Sequence, residues 1–352
     1  MRHPRLTFAL ACLLALGLVA GCGGNDSDSS GSSSDAESRP APPKSAFPAA
    51  AGKSLADVVK MGKRAEVVVS PAALAFHRGE NRYPFGVFSL GREQIADAEV
   101  ALYIAKAPPP KTGPRKKRGK GAIARARDEA LDQPALGPFP ASVESLATQP
   151  AFRAKTTTDD PDAATVVYST KLDFPTEGEW RIAALVREGD ELSGTLLPSA
   201  SVGEFKKLPK EGERPPRIHT PTSGEAGSDL SEITTRVPPD TQNRVDFAEV
   251  LGKKPVVLLF ATPQFCQSRV CGPVVDVAEQ VKEEYGDGAE FIHMEIFNEN
   301  DPNKGVRKQV RAFHLPSEPW LFVIDGDGRI SDAVEGAFGP KLLTRAVERV
   351  VG

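Results

Sequence analysis

The stretch Phe260-Ala261-Thr262-Pro263-Gln264-Phe265-Cys266-Gln267-Ser268-Arg269-Val270-Cys271-Gly272-Pro273 decides how the second half of the chain is read. Before it, Pro255-Val256-Val257-Leu258-Leu259-Phe260 is an apolar run bounded by turn signals, fit for a central strand. After it, Val274, Val277, Val281 and Tyr285 recur at helical spacing with charges between them. The two cysteines thus lie where a strand hands over to a helix. Helix starts leave backbone N–H groups unpaired and carry the positive end of the dipole, which lowers a thiol pKa and favours the reactive thiolate.

Outward from this centre, Glu290 to Phe297 reads as the next strand and Val306 to Phe313 as a helix. Then come a strand led by Pro319 (Trp320-Leu321-Phe322-Val323-Ile324-Asp325), the turn Gly326-Asp327-Gly328, Arg329-Ile330, and a final helix from Lys341 to Val351. Alternating strands and helices signify an α/β or α+β sheet domain. In order and motif, residues 240–352 resemble the thioredoxin superfamily. The resemblance implies that Cys266 is the nucleophile, that Phe265 is the aromatic preceding it, and that Pro319 is a cis-proline facing the cysteines. Cys271 is then the resolving thiol, and Arg269 is close enough in sequence to add positive charge. Glu318, before that proline, reads as an exposed loop carboxylate.

The spacing departs from the thioredoxin motif, with four residues between the sulfurs instead of two. On an ideal helix, residues five apart have Cα atoms about 8–9 Å from each other, and a disulfide needs less than about 7 Å. Both cysteines cannot lie in regular helix and be bonded. Either Cys266 precedes the helix or the first turn unwinds, and Pro273 would ease unwinding because it has no N–H to give Arg269. Four-residue spacing is similar to that of peroxiredoxins with both cysteines on one helix, and Thr262-Pro263 and Cys271-Gly272 resemble their segments. Thr262, however, lies one residue further from Cys266 than in that family. Peroxide reduction is therefore an alternative to disulfide exchange. A Sco-type copper protein, using His293 or His314 with the thiols, is a further one, since thiolate and imidazole suit copper. A binding lipoprotein that has lost catalysis is another. No HExxH, GxSxG or phosphate-cradling glycine loop is present. No cofactor or resident metal is expected.

The chain has 352 residues and four cysteines. It opens with a basic stretch (Arg2, Arg5) and an apolar run from Leu6 to Ala20, too short for a stable membrane span but ordered like a secretory signal. Val19-Ala20-Gly21-Cys22 resembles the lipobox of bacterial lipoproteins, which implies lipidation of Cys22. Cys12 leaves with the signal, so Cys266 and Cys271 are the only thiols of the mature soluble part. Outside the cytosol such a pair can form a disulfide. Loss of Arg2 and Arg5 moves the formal charge from −3 to −5, which favours neither nucleic acid nor an acidic surface as partner.

Between the signal and the cysteine domain, short β-branched or aromatic runs read as strands: 66–69, 85–88, 98–104, 165–168 and 180–186. Phe174 to Trp180, a turn delivering a Trp onto a strand, looks like the corner of immunoglobulin-like domains. The organisation expected is a signal peptide at 1–21, a flexible lipid-anchored tether at 22–60, and an all-β immunoglobulin-like sandwich at 61–207. A disordered basic and Pro-rich loop falls near 107–127 within the sandwich. A linker at 208–239 and the α/β thioredoxin-like domain at 240–352 complete it. The function expected is a membrane-tethered, extracytoplasmic, monomeric thiol/disulfide oxidoreductase acting on protein thiols and disulfides.

Overall fold

The computed structural model of the protein describes residues 37–108, 129–266 and 269–352. The signal, residues 22–36 of the expected tether including Cys22, and the basic run 115–120 lie outside them. Among the described residues no helix is long and apolar enough to cross a membrane.

Alternating apolar and polar residues build the first half. Its strands are β1 (Lys63–Arg64), β2 (Val67–Pro71), β3 (Gly79–Ser89), β4 (Glu99–Lys106), β5 (Leu136–Pro140), β6 (Ser142–Ser145), β7 (Val166–Phe174), β8 (Gly178–Glu188) and β9 (Glu191–Val202). They form two sheets, ordered β1-β9-β8-β4-β5 and β2-β3-β7-β6. The inner faces close on a shared core that includes Val69, Phe85, Leu102, Tyr168 and Ile182, as a two-sheet sandwich requires. At the β7–β8 corner the Trp180 ring lies 5.6 Å from that of Phe174, and its Nε1 donates to the carbonyl of Thr176 at 2.9 Å. β9 is not legible as a strand because Gly194 and Pro198 interrupt it. The structure accommodates Pro198 where the β8–β9 register shifts between Trp180 and Ile182, a place where a missing N–H costs no ladder bond.

The expectation of a flexible tether up to residue 60 needs correction. Phe47, Leu55 and Val58 are buried against Tyr103 and Leu185 on the outer face of the five-stranded sheet. The short helix α1 (Leu55–Val59) carries them, capped by Ser54 and Asp57 in a reciprocal box. Apolar residues spaced singly among Ala and Pro conceal a surface that only the folded sheet can cover.

In the second half, β10 (Val256–Phe260), β11 (Glu290–Met294), β12 (Trp320–Ile324) and β13 (Ile330–Glu335) make a sheet ordered β11-β10-β12-β13. β10 and β11 run parallel, and the other pairs run antiparallel. Helix α2 (Cys271–Tyr285) crosses between β10 and β11, α3 (Lys308–Ala312) precedes β12, and α4 (Pro340–Val351) closes the chain. α2 and α4 cover one face of the sheet, while Phe313 packs with Phe260 and Phe322 on the other. This is a mixed α/β unit with the order and strand senses of a thioredoxin-like fold.

The 208–239 stretch is not a free linker. Gly212 N–H donates to Ile330 O at 2.8 Å, and Ile330 N–H returns a bond to Glu213 O at 2.9 Å. Ile218 joins the core of the α/β sheet. Nor do sandwich and α/β sheet separate, since Asp35–Gly352 forms one contact unit. Leu146, Ala164 and Val167 from the sandwich side pack in the same apolar cluster as α2 and α4.

Candidate functional site

The cysteine turn follows β10 directly. The disulfide joins Cys266 and Cys271 with their Cα atoms 5.8 Å apart, well inside the bonding limit. Of the two arrangements the spacing allows, the chain adopts the first. Cys266 lies in the turn, and α2 begins at Cys271. Arg269 takes φ +62° within the connection, bending the chain back so that the sulfurs meet. Although Cys266 precedes the helix, its sulfur receives the helix end: Cys271 N–H points at Cys266 Sγ at 3.2 Å. Cys271 is fully buried, whereas Cys266 is half-buried.

The residues around the turn hold it to the sandwich. Arg269 Nη1 lies 3.0 Å from Asp162 Oδ1, and Ala164 N–H donates to Arg269 O at 3.0 Å. The Arg269 charge, expected beside the thiolate, is therefore anchored on Asp162. Gly272 leaves room for Thr157, whose Oγ1 would stand only 2.8 Å from an added Cβ. Pro273 is buried in the first turn of α2, where a missing N–H leaves no bond unmade. Phe265 meets Phe297 edge-on at 6.4 Å.

One turn further on, Asp276 carries a buried pairing that the sequence pattern did not reveal. Arg236 Nε donates to Asp276 Oδ1 at 2.9 Å, and its two terminal nitrogens donate to Phe152 O at 2.8 Å and Pro238 O at 2.9 Å. Ala154 N–H donates to Asp276 Oδ2 at 3.1 Å. Burial pushes the Asp276 carboxyl upward against the pull of Arg236. A carboxylate between Val275 and Val277 was the one available signal, because an acid inside an apolar stripe needs a partner.

The Glu318–Pro319 bond is cis. β12 pairs with β10 through Phe260 and Trp320, so Pro319 and the cysteine turn leave the same end of the sheet. Glu318 is half-buried rather than exposed. Burial, with Glu295 nearby, raises its pKa. Glu295 is fully buried and accepts from Thr235 N–H at 2.6 Å and Thr235 Oγ1 at 2.7 Å. Thr235 Oγ1 in turn accepts from Gln264 N–H at 3.2 Å.

His293 is buried with both ring nitrogens engaged, Nδ1 2.9 Å from Asp240 Oδ2 and Nε2 3.1 Å from Ala261 O. Burial opposes both charges, but the pairing outweighs it, holding Asp240 at about 2 and His293 at about 9. A ring bonded on both sides has no nitrogen left for copper. His314 is exposed with φ +54° at the end of α3. Among the described residues no cluster of three or more His, Cys, Asp or Glu is arranged to hold a metal.

No protein-family model matches the chain, and no curated protein matches it. Among solved structures, a putative thiol:disulfide interchange protein DsbE from Chlorobium tepidum is similar at 15% identity and a TM-score of 0.29, over 41% of this chain and 99% of that one. A thiol:disulfide interchange protein of the thioredoxin family from Chlorobium tepidum TLS is similar at 17% identity and a TM-score of 0.29, with the same coverage of both chains.

Proposed function

We propose that this chain is an extracytoplasmic thiol/disulfide oxidoreductase, tethered by lipid on Cys22, with Cys266 as nucleophile and Cys271 as resolving thiol. The observation that carries the reading is the asymmetry of the pair. The Cys266 sulfur is half-buried and faces the N–H of Cys271 at the start of a 15-residue helix. Its partner is sealed in the core. A thiolate on Cys266 gains from that N–H and from the helix end, whereas Cys271 is reachable only from Cys266. The two-sheet sandwich, read as an immunoglobulin-like spacer, lies between tether and site in the sequence.

In the reductive direction, Cys266 thiolate attacks a client disulfide. One Cys266–client bond forms, the client S–S bond breaks, and one client sulfur leaves as thiolate. Cys271, deprotonated, then attacks Cys266 Sγ, forms the intramolecular disulfide and releases the second client thiolate. Two electrons pass to the client, and the reverse sequence oxidises a client dithiol. Pro319, at the same end of the sheet, is the backbone platform beside which a client chain would lie.

The test is trapping. In Cys271→Ser the mixed disulfide on Cys266 has no resolving thiol and accumulates on non-reducing gels, while Cys266→Ser forms none. If Cys271→Ser captures no client protein and the wild-type pair resists reduction at potentials down to about −300 mV, the pair is structural. Rapid consumption of both thiols by hydrogen peroxide, with slow exchange against protein disulfides, would instead favour peroxide reduction.

A further inference from the structure

A cavity of about 320 Å³ opens between the outer face of the four-stranded sheet and the cysteine turn. Strand alternation sends Val67 and Val69 into the sandwich core and turns Val68 outward, 47% exposed. Phe88 folds its ring over Gly86, where an added Cβ would lie 2.5 Å from the ring edge. The glycine thus lets an aromatic floor lie flat along β3. Leu90, 69% exposed, continues the apolar surface to the rim. On the far side stand Ala164 and Val270, and two arginines line the cavity, Arg92 and the Asp162-paired Arg269.

The cavity shares wall residues with the cluster that holds the redox pair. Ala164 and Val270 pack in one cluster with Cys271, and Cys266 lies against it. Val270 is bonded directly to Cys271, whose N–H meets Cys266 Sγ. The cavity wall thus lies one residue from the disulfide, on the Cys271 side. Exposed apolar surface of this kind marks a binding face, and its position beside the exchanging sulfur identifies what binds.

Resting on the oxidoreductase reading, we propose that this cavity selects clients. It takes an apolar side chain flanking the reacting client cysteine, with an acidic neighbour set against the exposed Arg92. The sandwich is then half of the substrate site and not only a spacer. The occupant is an extended stretch of client protein, because Val68 and Leu90 stand exposed at separate points of the apolar face with the Phe88 ring between them in sequence. A client thiolate attacks Cys266 Sγ, the Cys266–Cys271 bond breaks, and Cys271 leaves as thiolate. A second client thiolate then attacks the client sulfur of the mixed disulfide, the client S–S bond forms, the Cys266–client bond breaks and Cys266 leaves as thiolate, so the client is oxidised and the protein reduced by two electrons.

The experiment uses the full oxidised chain and three reductants: a dicysteine peptide flanked by Phe and Glu, a matched peptide flanked by Gly and Ser, and dithiothreitol. Burying one large apolar side chain corresponds to about 10- to 100-fold in rate constant. The Phe/Glu peptide is expected to react at least tenfold faster than the Gly/Ser peptide. In Val68→Glu and Leu90→Glu, both changed at exposed positions, that preference collapses while the dithiothreitol rate stays at the wild-type value. Arg92→Glu removes only the part due to the acidic residue. Equal rates for the two peptides, or a preference that survives Val68→Glu, overturn the proposal while leaving the redox reading intact. If no reductant opens the disulfide, the redox reading falls and the proposal with it.

Discussion

Replacing Arg236 by Met keeps the aliphatic stem and removes the guanidinium that links α2, the 152–154 segment and the start of the α/β unit. Its side chain is 6% exposed and that of Asp276 is 2% exposed, so the lost partner leaves an unpaired charge in the interior. Removing one member of such a pair costs about 3–5 kcal/mol. Within that figure, the carbonyls of Phe152 and Pro238 each lose a donor worth about 1 kcal/mol. Against a total stability of about 5–15 kcal/mol, the variant should unfold on the order of 6–10 °C earlier. The cost also depends on pH. The Asp276 carboxyl is already raised by burial, and loss of Arg236 raises it further. A carboxyl that keeps its proton in the folded chain and releases it in the unfolded one makes stability fall as pH rises through its folded pKa. Urea unfolding followed by circular dichroism should therefore show the largest deficit near pH 8 and a smaller one near pH 4. Arg236→Met combined with Asp276→Asn should recover much of it, since the amide oxygen still accepts from Ala154 N–H. A deficit below about 1 kcal/mol, or one equal at both pH values, would refute the reasoning.

The His293–Asp240 pair gives a separate pH signature. Stability from His293 is fully present below its ordinary value of 6.5 and is lost as pH rises through about 9, whereas that from Asp240 is present above 3.8 and is lost as pH falls through about 2. Melting temperature should decline between pH 7 and 9, and Asp240→Asn should abolish that step; a variant that keeps it would show another group to be responsible. Glu335 fastens the sandwich to the cis-proline end, accepting from Leu74 N–H and Ala75 N–H at 2.8 Å each and from Ser317. Glu335→Ala should cost about 2–4 kcal/mol, as loss of buried charged bonds does, and scanning calorimetry should resolve two transitions where the parent shows one. Gly336→Ala should be more destabilising than an ordinary surface change, because φ is +78° and a Cβ would stand 2.3 Å from Ala72 O. Unchanged melting in that variant would mean that β2 does not approach β13 so closely.

Most of the α/β unit was legible because its elements are strongly periodic and locally self-sufficient. The run before the cysteines is a strand with all five residues buried, and Val274, Val277 and Val281 lie on the buried face of α2. Less of the sandwich was readable. β5, β6 and β9 carry Gly, Pro and Ser and become strands only through pairing with β4, β7 and β8. Residues 44–60 look like tether until the outer face of the five-stranded sheet offers Tyr103 and Leu185 for Phe47 and Leu55 to cover.

For the site, the sequence singled out Cys266 and Cys271 on the reading that Cys12 leaves with the signal and Cys22 carries lipid, and it limited their geometry through the length of five residues of helix. Tertiary structure decided where the helix starts, which sulfur is exposed, and where Arg269 sends its charge. It also decided that 107 residues of sequence separate Asp162 from an arginine 3.0 Å away. Local pattern records what a residue can do with its near neighbours. Ion pairs and cavity walls depend on surfaces brought together by two sheets, and no window of sequence contains both sides.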